Sequence, residues 1–487
     1  MNQMSKTFFI NPLKNRVLWA FLLVHILLII FLEIFFSGSF FLAPDERGYL
    51  QVAQDAYKQD YGYIHWGWPW RSPVWFLQLI YLPFKILVLL GVPIVPAFRL
   101  NSLIYSSLSV YLFLCVYYFN KNLTYPKKFP KFFLVILFMP TFIVWGSLGL
   151  RESFLYLSFS LIATGIYLIE KKYSFFGFSF LCLGECILAF TKDYIYVLLI
   201  FSIIASIIFK TIFDRKVRFI SFLYILTLLV PVAINSQTWN SISEQTRYLV
   251  LSTDVPRANL SGNSTGGEFG AWGTERGLVE LSEKLGEKSV ASELLNVIKP
   301  SKKIQATPAA TPAATPAATP AATPAATPSD SNKEKVLLTG SEKAWKESRA
   351  SRLSLEPVHL RDPIALSFQF IKVSILPFPL HDNGSSIMNI IAWETWIWTL
   401  LILILISRAI QTFFIKRKVE LLESWSILFS LGFMLTTAMT EINVGTMIRH
   451  RSLILFPVLF LLTIQYDEKR GLMNSIFEKL RASWLQR

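Results

Sequence analysis

Residues 17–36, VLWAFLLVHILLIIFLEIFF, decide the fold class of this chain. A helix of about 20 mostly apolar residues crosses the ~30 Å hydrocarbon layer of a membrane. Similar runs recur along the sequence, which has 487 residues, 53% of them hydrophobic and 16% charged. Because a continuous apolar segment can satisfy its own backbone N–H and C=O groups in a membrane only as a helix, we predict an all-α polytopic membrane protein.

Hydropathy divides the chain into about ten transmembrane helices. Their predicted bounds are 17–36, 97–118, 132–148, 153–170, 174–190, 194–212, 218–235, 388–407, 421–438 and 451–465. A further apolar stretch, 74–95, is interrupted by Pro83, Gly91, Pro93 and Pro96. We expect surface or re-entrant helices there instead of one crossing, with an ordinary kinked span as the alternative.

Basic residues set the predicted orientation of these helices. The net charge is +15, and lysines and arginines lie in short clusters between apolar segments. The clusters are Lys127, Lys128 and Lys131; Lys171 and Lys172; Arg215, Lys216 and Arg218; and Lys416, Arg417 and Lys418. This distribution is typical of cytoplasmic loops and not of a nucleic-acid-binding surface, so we expect no nucleic-acid partner. With the N-terminus in the cytoplasm, every cluster falls on the cytoplasmic side.

The polar residues 236–365 separate an N-terminal transmembrane module, 1–235, from a C-terminal one, 366–487. We expect this insertion to be a long outer loop that is partly disordered. Its middle, 306–328, repeats the unit Thr-Pro-Ala-Ala, and a proline in each unit prevents helix and strand. An O-glycosylated tract is the alternative interpretation of this repeat.

An acidic pair follows the first predicted span. Asp45 and Glu46 come directly after Pro44, and Tyr49 follows one helical turn later, which predicts a helix at the membrane surface with carboxylates in its first turn. Carboxylates near hydrocarbon need water, a partner or a substrate. We predict that the pair is catalytic and offers a general base to an incoming hydroxyl, with a simple helix cap as the alternative.

Charged residues interrupt the apolar segments at three other places. These are Arg151 and Glu152, Lys192 and Asp193, and the triplet Arg449, His450 and Arg451. The predicted topology puts all of them on the extracytoplasmic side with the acidic pair, as a water-filled active cavity would require. Because arginine offers planar donors for two phosphate oxygens, Arg449, Arg451 and Arg151, with His450, are predicted to bind an anionic group. Paired charges at helix ends are the alternative.

The pattern resembles the GT-C class of polytopic glycosyltransferases, in particular the bacterial protein mannosyltransferase and aminoarabinose transferase type. Asp45-Glu46-x-x-Tyr49 is similar to the acidic motif in the first outer loop of that family. Arg71-Ser72-Pro73 is similar to its proline-containing surface segment, and Arg99-Leu100-Asn101-Ser102 to the start of its next span. The likeness covers mainly residues 17 to about 215 and departs from the family in the arginine before Glu152 and in the missing paired prolines.

This resemblance implies a transferase that uses a polyprenyl-phosphate sugar as donor and inverts the anomeric carbon. Asp45 would be the general base, Glu46 and Glu152 would orient the acceptor or a divalent cation that nothing in the sequence requires, and the arginines would neutralise the leaving phosphate. Further cavity candidates are Tyr49, Arg71, Arg99, Lys192 and Asp193. The acceptor would be a hydroxyl of a glycan, lipid or protein, outside the cytoplasm at an inner or plasma membrane.

Two other functions remain open from the sequence. A polysaccharide polymerase or ligase would also take polyprenyl-linked glycans and would depend mainly on arginines. A flippase or transporter would bind near the bilayer midplane and show two related halves with broken helices. The spans show no internal repeat, and the charges gather at one predicted face, which favours the transferase.

Overall fold

The structure, a computed structural model, describes residues 6–36, 44–58, 72–121, 129–214, 219–252, 292–294, 363–379, 386–415, 419–440 and 444–465. Every regular element in these ranges is helical. The chain divides into two compact units, Met1–Gly273 with Leu355–Arg487, and Thr274–Ser354. Both predicted transmembrane modules belong to the first unit, whose helices are described below. The predicted repeat at 306–328 and Arg71 lie outside the described residues.

The N-terminal helices follow a short π-helix, Lys6–Ile10, and a 3₁₀ turn, Asn11–Lys14. They are α1 (Arg16–Phe36), α2 (Pro44–Asp55), α3 (Val74–Ile80), α4 (Leu82–Leu89), α5 (Ile94–Asn120), α6 (Lys131–Leu137), α7 (Pro140–Ser147), α8 (Glu152–Glu170), α9 (Ser174–Thr191), α10 (Asp193–Asp214), α11 (Phe219–Thr227), α12 (Val230–Ile234) and α13 (Gln237–Ser252). The C-terminal helices are α14 (Pro363–Ile375), α15 (Ser386–Ala392), α16 (Thr395–Ile410), α17 (Leu421–Thr440), α18 (Val444–Leu453) and α19 (Leu455–Gln465).

Among the described residues, eight helices are long and apolar enough to cross a membrane. They comprise Arg16–Phe35, Ile94–Asn120, Glu152–Glu170, Ser174–Thr191, Asp193–Phe213, Thr395–Ile415, Leu421–Met439 and Met447–Ile464. The protein is therefore an all-α, multi-pass membrane protein, as the composition predicts.

Two predicted spans, 132–148 and 218–235, are each broken into two short helices. α6 ends at Leu137, and α7 begins at Pro140, which lacks the backbone N–H needed to continue the first helix. The second break is similar, because Pro231 is the second residue of α12. The predicted span 388–407 is displaced, because a turn after Ala392 ends α15 and the long helix runs from Thr395 to Ile415. Hydropathy does not register these breaks, since the residues on both sides are apolar.

The stretch 74–95 contains two short helices, α3 and α4, of 7 and 8 residues, which is too short for either to cross a membrane. Pro83 lies in the first turn of α4, and Gly91 adopts a positive φ of 87° before α5 begins. Gly91 therefore follows the end of α4, and Pro83 lies near a helix start, where proline is tolerated.

α8 is the centre of the bundle, and the side chains of residues 152–169 are all buried. It packs closely against α9. A Cβ atom added at Gly165 would lie only 2.7 Å from the carbonyl oxygen of Gly177, so the two backbones leave no room for a side chain there. The two ends of α8 carry its charges. Glu170 pairs with Lys210 of α10 at one end, 2.8 Å away, and Glu152 lies at the other end.

Candidate functional site

Arg449 is the hub of an ion cluster at the Glu152 end of the bundle. Its Nε and Nη2 atoms donate to the two carboxylate oxygens of Glu152 at 2.6 and 3.0 Å. Its Nη1 atom donates to Asp45 Oδ2 at 2.5 Å. Asp45 lies in the first turn of α2, Glu152 begins α8, and Arg449 lies on α18, so three separate parts of the chain meet here.

A second layer of the cluster lies beside Glu152. Lys192, between α9 and α10, is 3.8 Å from Glu152 Oε1 and 3.4 Å from His450 Nε2. The Tyr194 hydroxyl lies 3.0 Å from the same histidine nitrogen. Both Lys192 and His450 are buried. We call Asp45, Glu152, Lys192, Tyr194, Arg449 and His450 together the Arg449 cluster.

Glu46 takes a different partner from its neighbour Asp45. Its carboxylate accepts from Arg99 Nε at 2.8 Å and from Arg99 Nη2 at 3.4 Å, and both side chains are buried. A buried arginine–carboxylate pair with two hydrogen bonds fixes one helix against another. Glu46 and Arg99 therefore dock α2 on α5, and the structure places neither in contact with Arg449.

Arg151 and Tyr49 border the cluster. The guanidinium carbon of Arg151 lies 5.0 Å from the centre of the Tyr49 ring, and Arg151 Nη1 donates to the carbonyl of Thr191 at 3.2 Å. Burial raises the pKa of Tyr49 to about 12, against the lowering effect of Arg151 and Arg449. Tyr49 is therefore a neutral phenol at physiological pH, facing an arginine through its ring.

The structure does not bring Arg451 to the cluster. Its Nη1 atom donates to the carbonyl of Leu376 at 2.9 Å, and its guanidinium lies 5.3 Å from the ring of Trp398. Residues 449 and 451 are two apart on α18, so their side chains point in different directions. Arg451 binds the C-terminal end of α14, whereas the sequence predicted a phosphate contact.

Asp193, a predicted cavity residue, stands between Lys192 and Tyr194 of the Arg449 cluster. It begins α10, and its Oδ1 atom accepts the backbone N–H of Tyr194 at 2.9 Å. Arg71, another predicted cavity residue, lies outside the described residues. Within the described ranges, no group of three or more His, Cys, Asp or Glu side chains is arranged to hold a metal ion. Asp45 and Glu152 both face Arg449 instead, so a divalent cation at these carboxylates stays a prediction.

Tyr156 and Ser452 support the cluster and carry no signal in the sequence. The Tyr156 hydroxyl lies 2.8 Å from Ser452 Oγ, which in turn donates to the carbonyl of Arg449 at 2.7 Å. Both residues occupy apolar segments, where a single tyrosine or serine is ordinary. Together they tie α18 to α8 at the backbone of Arg449.

The cluster can perform two chemical tasks. First, it can bind an anion: two cations, Arg449 and Lys192, face the carboxylates of Asp45 and Glu152, and Arg151 at the border of the cluster adds a further positive charge. Second, it can offer a base to a hydroxyl from outside, because the Asp45 side chain is 37% exposed.

Comparison of the chain with protein-family models, curated proteins and solved structures found no match. The fold and site define a multi-pass membrane protein with a charged cluster at one end of its helices.

Proposed function

We propose that the protein is a GT-C-type glycosyltransferase that transfers a sugar from polyprenyl phosphate to a hydroxyl of a glycan, lipid or protein acceptor. The observation that carries the proposal is the contact between Asp45, a partly exposed carboxylate, and Arg449, a permanent cation, 2.5 Å apart. In a one-step transfer, the base for the acceptor and the counter-ion for the leaving group act on the same anomeric carbon, so both must belong to one site.

The contacts of the broken helices with their neighbours support ten passages and an outward-facing cluster. α6 and α7 lie side by side with α5, through the Phe113–Phe133 ring contact and the Ser106–Gly146 hydrogen bond. α11 contacts α9 through Thr227 and Glu185, 3.1 Å apart. Counting these broken helices as passages puts Lys131 and Lys171 at the end opposite the cluster. The bias of basic residues to the cytoplasm then favours an extracytoplasmic cluster, at an inner or plasma membrane.

The proposed reaction is a direct displacement. Asp45 takes the proton of the acceptor hydroxyl while the oxygen of that hydroxyl bonds to the anomeric carbon. The bond from that carbon to the phosphate oxygen breaks, and the polyprenyl phosphate leaves with the electron pair. Arg449 neutralises the charge that develops on the phosphate, and attack from the opposite side inverts the anomeric configuration.

The test uses the purified full-length protein in detergent with labelled polyprenyl-phosphate sugars and a mixture of glycan and lipid acceptors. We expect sugar transfer, and we expect Asp45→Asn to lower its rate by at least about a hundredfold, the usual contribution of a general base. Arg47→Gln is the matched control, because Arg47 is an exposed neighbour on the same helix. It should retain the wild-type rate.

The other outcomes separate the remaining functions. Transfer that survives Asp45→Asn but is lost in Arg449→Gln would favour a polymerase or ligase that relies on arginine. The absence of any turnover in detergent, together with movement of a lipid-linked glycan across vesicles, would replace the proposal with transport.

A further inference from the structure

The two carboxylates on Arg449 are held very differently. Glu152 is fully buried and accepts two hydrogen bonds from the guanidinium, whereas Asp45 is 37% exposed and accepts one. A guanidinium has five N–H bonds, so these three contacts leave two for another acceptor. The arrangement is therefore asymmetric, with one enclosed partner and one partner at the surface.

Glu152 has every feature of a permanent partner. Its bidentate contact with Arg449 is the strongest geometry for an arginine and a carboxylate. Lys192 adds a second cation at 3.8 Å, and the start of α8 favours negative charge at this position. Separating Glu152 from Arg449 would leave a charge buried without its partner, which is costly.

Asp45 has the features of an exchangeable partner. Its side chain is 37% exposed, so a released carboxylate is solvated instead of stranded, and Arg449 keeps its pair with Glu152. An anion that meets Arg449 can therefore replace Asp45 far more easily than it can replace Glu152. The released Asp45 stays on α2, which the buried Glu46–Arg99 pair holds in place one residue away.

We propose that the phosphate group of the donor displaces Asp45 from Arg449, and that Glu152 is a positioning residue that keeps the guanidinium aimed at the phosphate. The inference rests on the proposed function and adds an order of events to it. Donor binding frees the Asp45 oxygens for the acceptor hydroxyl, so the base becomes available only when a sugar is in place. Without donor, the ion pair with Arg449 engages the Asp45 carboxylate and keeps it from acting as a base.

Chemical labelling of Asp45 tests the displacement. A water-soluble carbodiimide with a tagged amine modifies accessible carboxyl groups, and mass spectrometry of the full-length protein reports the labelled peptide. We expect farnesyl phosphate, a short polyprenyl phosphate, to increase the labelling rate of Asp45 several-fold, because the ion pair with Arg449 is broken. Asp45→Asn identifies the peptide. A labelling rate that falls or stays unchanged at saturating farnesyl phosphate would overturn the displacement.

Binding of farnesyl phosphate by calorimetry tests the two roles. If Asp45 occupies Arg449 about 90% of the time, Asp45→Asn should tighten binding roughly tenfold, because the competitor is gone. Glu152→Gln should weaken binding, because the Arg449 guanidinium loses the ion pair that orients it. Removal of negative charge alone would tighten binding in both variants, so opposite signs distinguish positioning from simple electrostatics. Tighter binding in Glu152→Gln contradicts its positioning role.

These results separate the inference from the proposed function. Binding that requires Arg449, combined with protection of Asp45 from labelling, overturns the displacement and leaves the anion site intact. Failure of the wild-type protein to bind farnesyl phosphate overturns the proposed function itself. The labelling arm uses the wild-type protein, so it holds even if Glu152→Gln does not fold.

Discussion

Asp45 and Glu46 are adjacent in the sequence but have separate surroundings. Neighbouring residues on a helix point in directions about 100° apart, so one side chain faces Arg449 and the other faces Arg99. The sequence identified both as catalytic candidates at a helix start, with Asp45 as the general base and Glu46 as an orienting residue. The packing of α2 on α5 instead gives Glu46 a buried partner, Arg99, and leaves Asp45 partly exposed beside Arg449.

The Glu46–Arg99 pair predicts a double-mutant result. Either Glu46→Leu or Arg99→Met should lower the free energy of unfolding by about 3–5 kcal/mol, because each leaves one charge buried alone. The double variant should be more stable than either single variant, since no charge remains unpaired. Unfolding of the purified protein in rising dodecyl sulfate measures all three. A double variant as unstable as the sum of the two singles would contradict the pairing.

Tyr49 predicts a response at high pH. Its pKa is about 12 in the folded protein and near 10 when unfolded, so its contribution to stability is fully present below pH 10 and is lost as the pH rises toward 12. Tyr49→Phe cannot ionise, so it should lose less stability over this window. The difference should reach about 2–3 kcal/mol, at ~1.4 kcal/mol for each pKa unit.

Paired unfolding curves of wild type and Tyr49→Phe at pH 8, 10 and 11.5 measure this difference. The gap between the two proteins should change little between pH 8 and 10 and should change clearly in favour of the variant at pH 11.5. A gap that stays the same from pH 8 to pH 11.5 would show that burial does not shield the phenol.

At the level of elements, the close crossing of α8 and α9 holds Glu152 and Lys192 together. Gly165→Ala would place a Cβ atom 2.7 Å from the Gly177 carbonyl oxygen and 2.8 Å from the Leu181 nitrogen, so the helices must separate. We expect a loss of about 1–3 kcal/mol in unfolding free energy. Gly432→Ala is the control, because a Cβ atom there meets nothing within 4 Å and alanine favours helix. Equal losses in both variants would contradict the crossing.

The opposite end of α8 predicts a smaller effect. Glu170 accepts the backbone N–H of Leu421 at 2.7 Å and pairs with Lys210 at 2.8 Å, so it caps the start of α17. Glu170→Gln should cost about 1 kcal/mol, the usual value of a helix cap. Lys210→Met removes only a partly exposed ion pair and should cost less. Unfolding in dodecyl sulfate compares the two, and a larger loss for Lys210→Met would contradict the capping role.

Much of the element pattern follows from the sequence. The apolar runs predict the long helices, and Pro44, Pro83 and Pro93 mark the start of helices that the structure contains. Pro140 and Pro231 carried the same signal, but the surrounding apolar residues concealed it. The helix from Thr395 to Ile415 was displaced because hydropathy cannot separate α15 from α16.

At the scale of the whole molecule, the site depends on contacts that no local pattern specifies. The sequence predicted that Asp45, Glu152 and Arg449 lie on one side of the membrane, and the structure brings all three together. It did not predict that Arg449 takes both carboxylates or that Arg451 turns to α14. Those details depend on how α18 is rotated against α8, which the Tyr156–Ser452 contact fixes.

The predicted orientation can be tested by cysteine labelling in intact cells. Lys58, just after α2 at the cluster end, and Lys171, at the far end of α8, are both exposed. A membrane-impermeant maleimide should label Lys58→Cys in intact cells and Lys171→Cys only after the cells are broken. Cys115, Cys182 and Cys186 lie within helices, and labelling of the unsubstituted protein measures the signal that these three cysteines contribute. The reverse pattern would place the cluster in the cytoplasm.

Asp45 and Arg449 are separated by 404 positions along the chain. During synthesis, the first partner is already in the membrane long before the ribosome reaches the second. The cluster therefore cannot exist on a nascent or truncated chain, whatever the length of the intervening insertion. If the proposed transfer depends on this cluster, copies that end before α18 should be inert in the membrane.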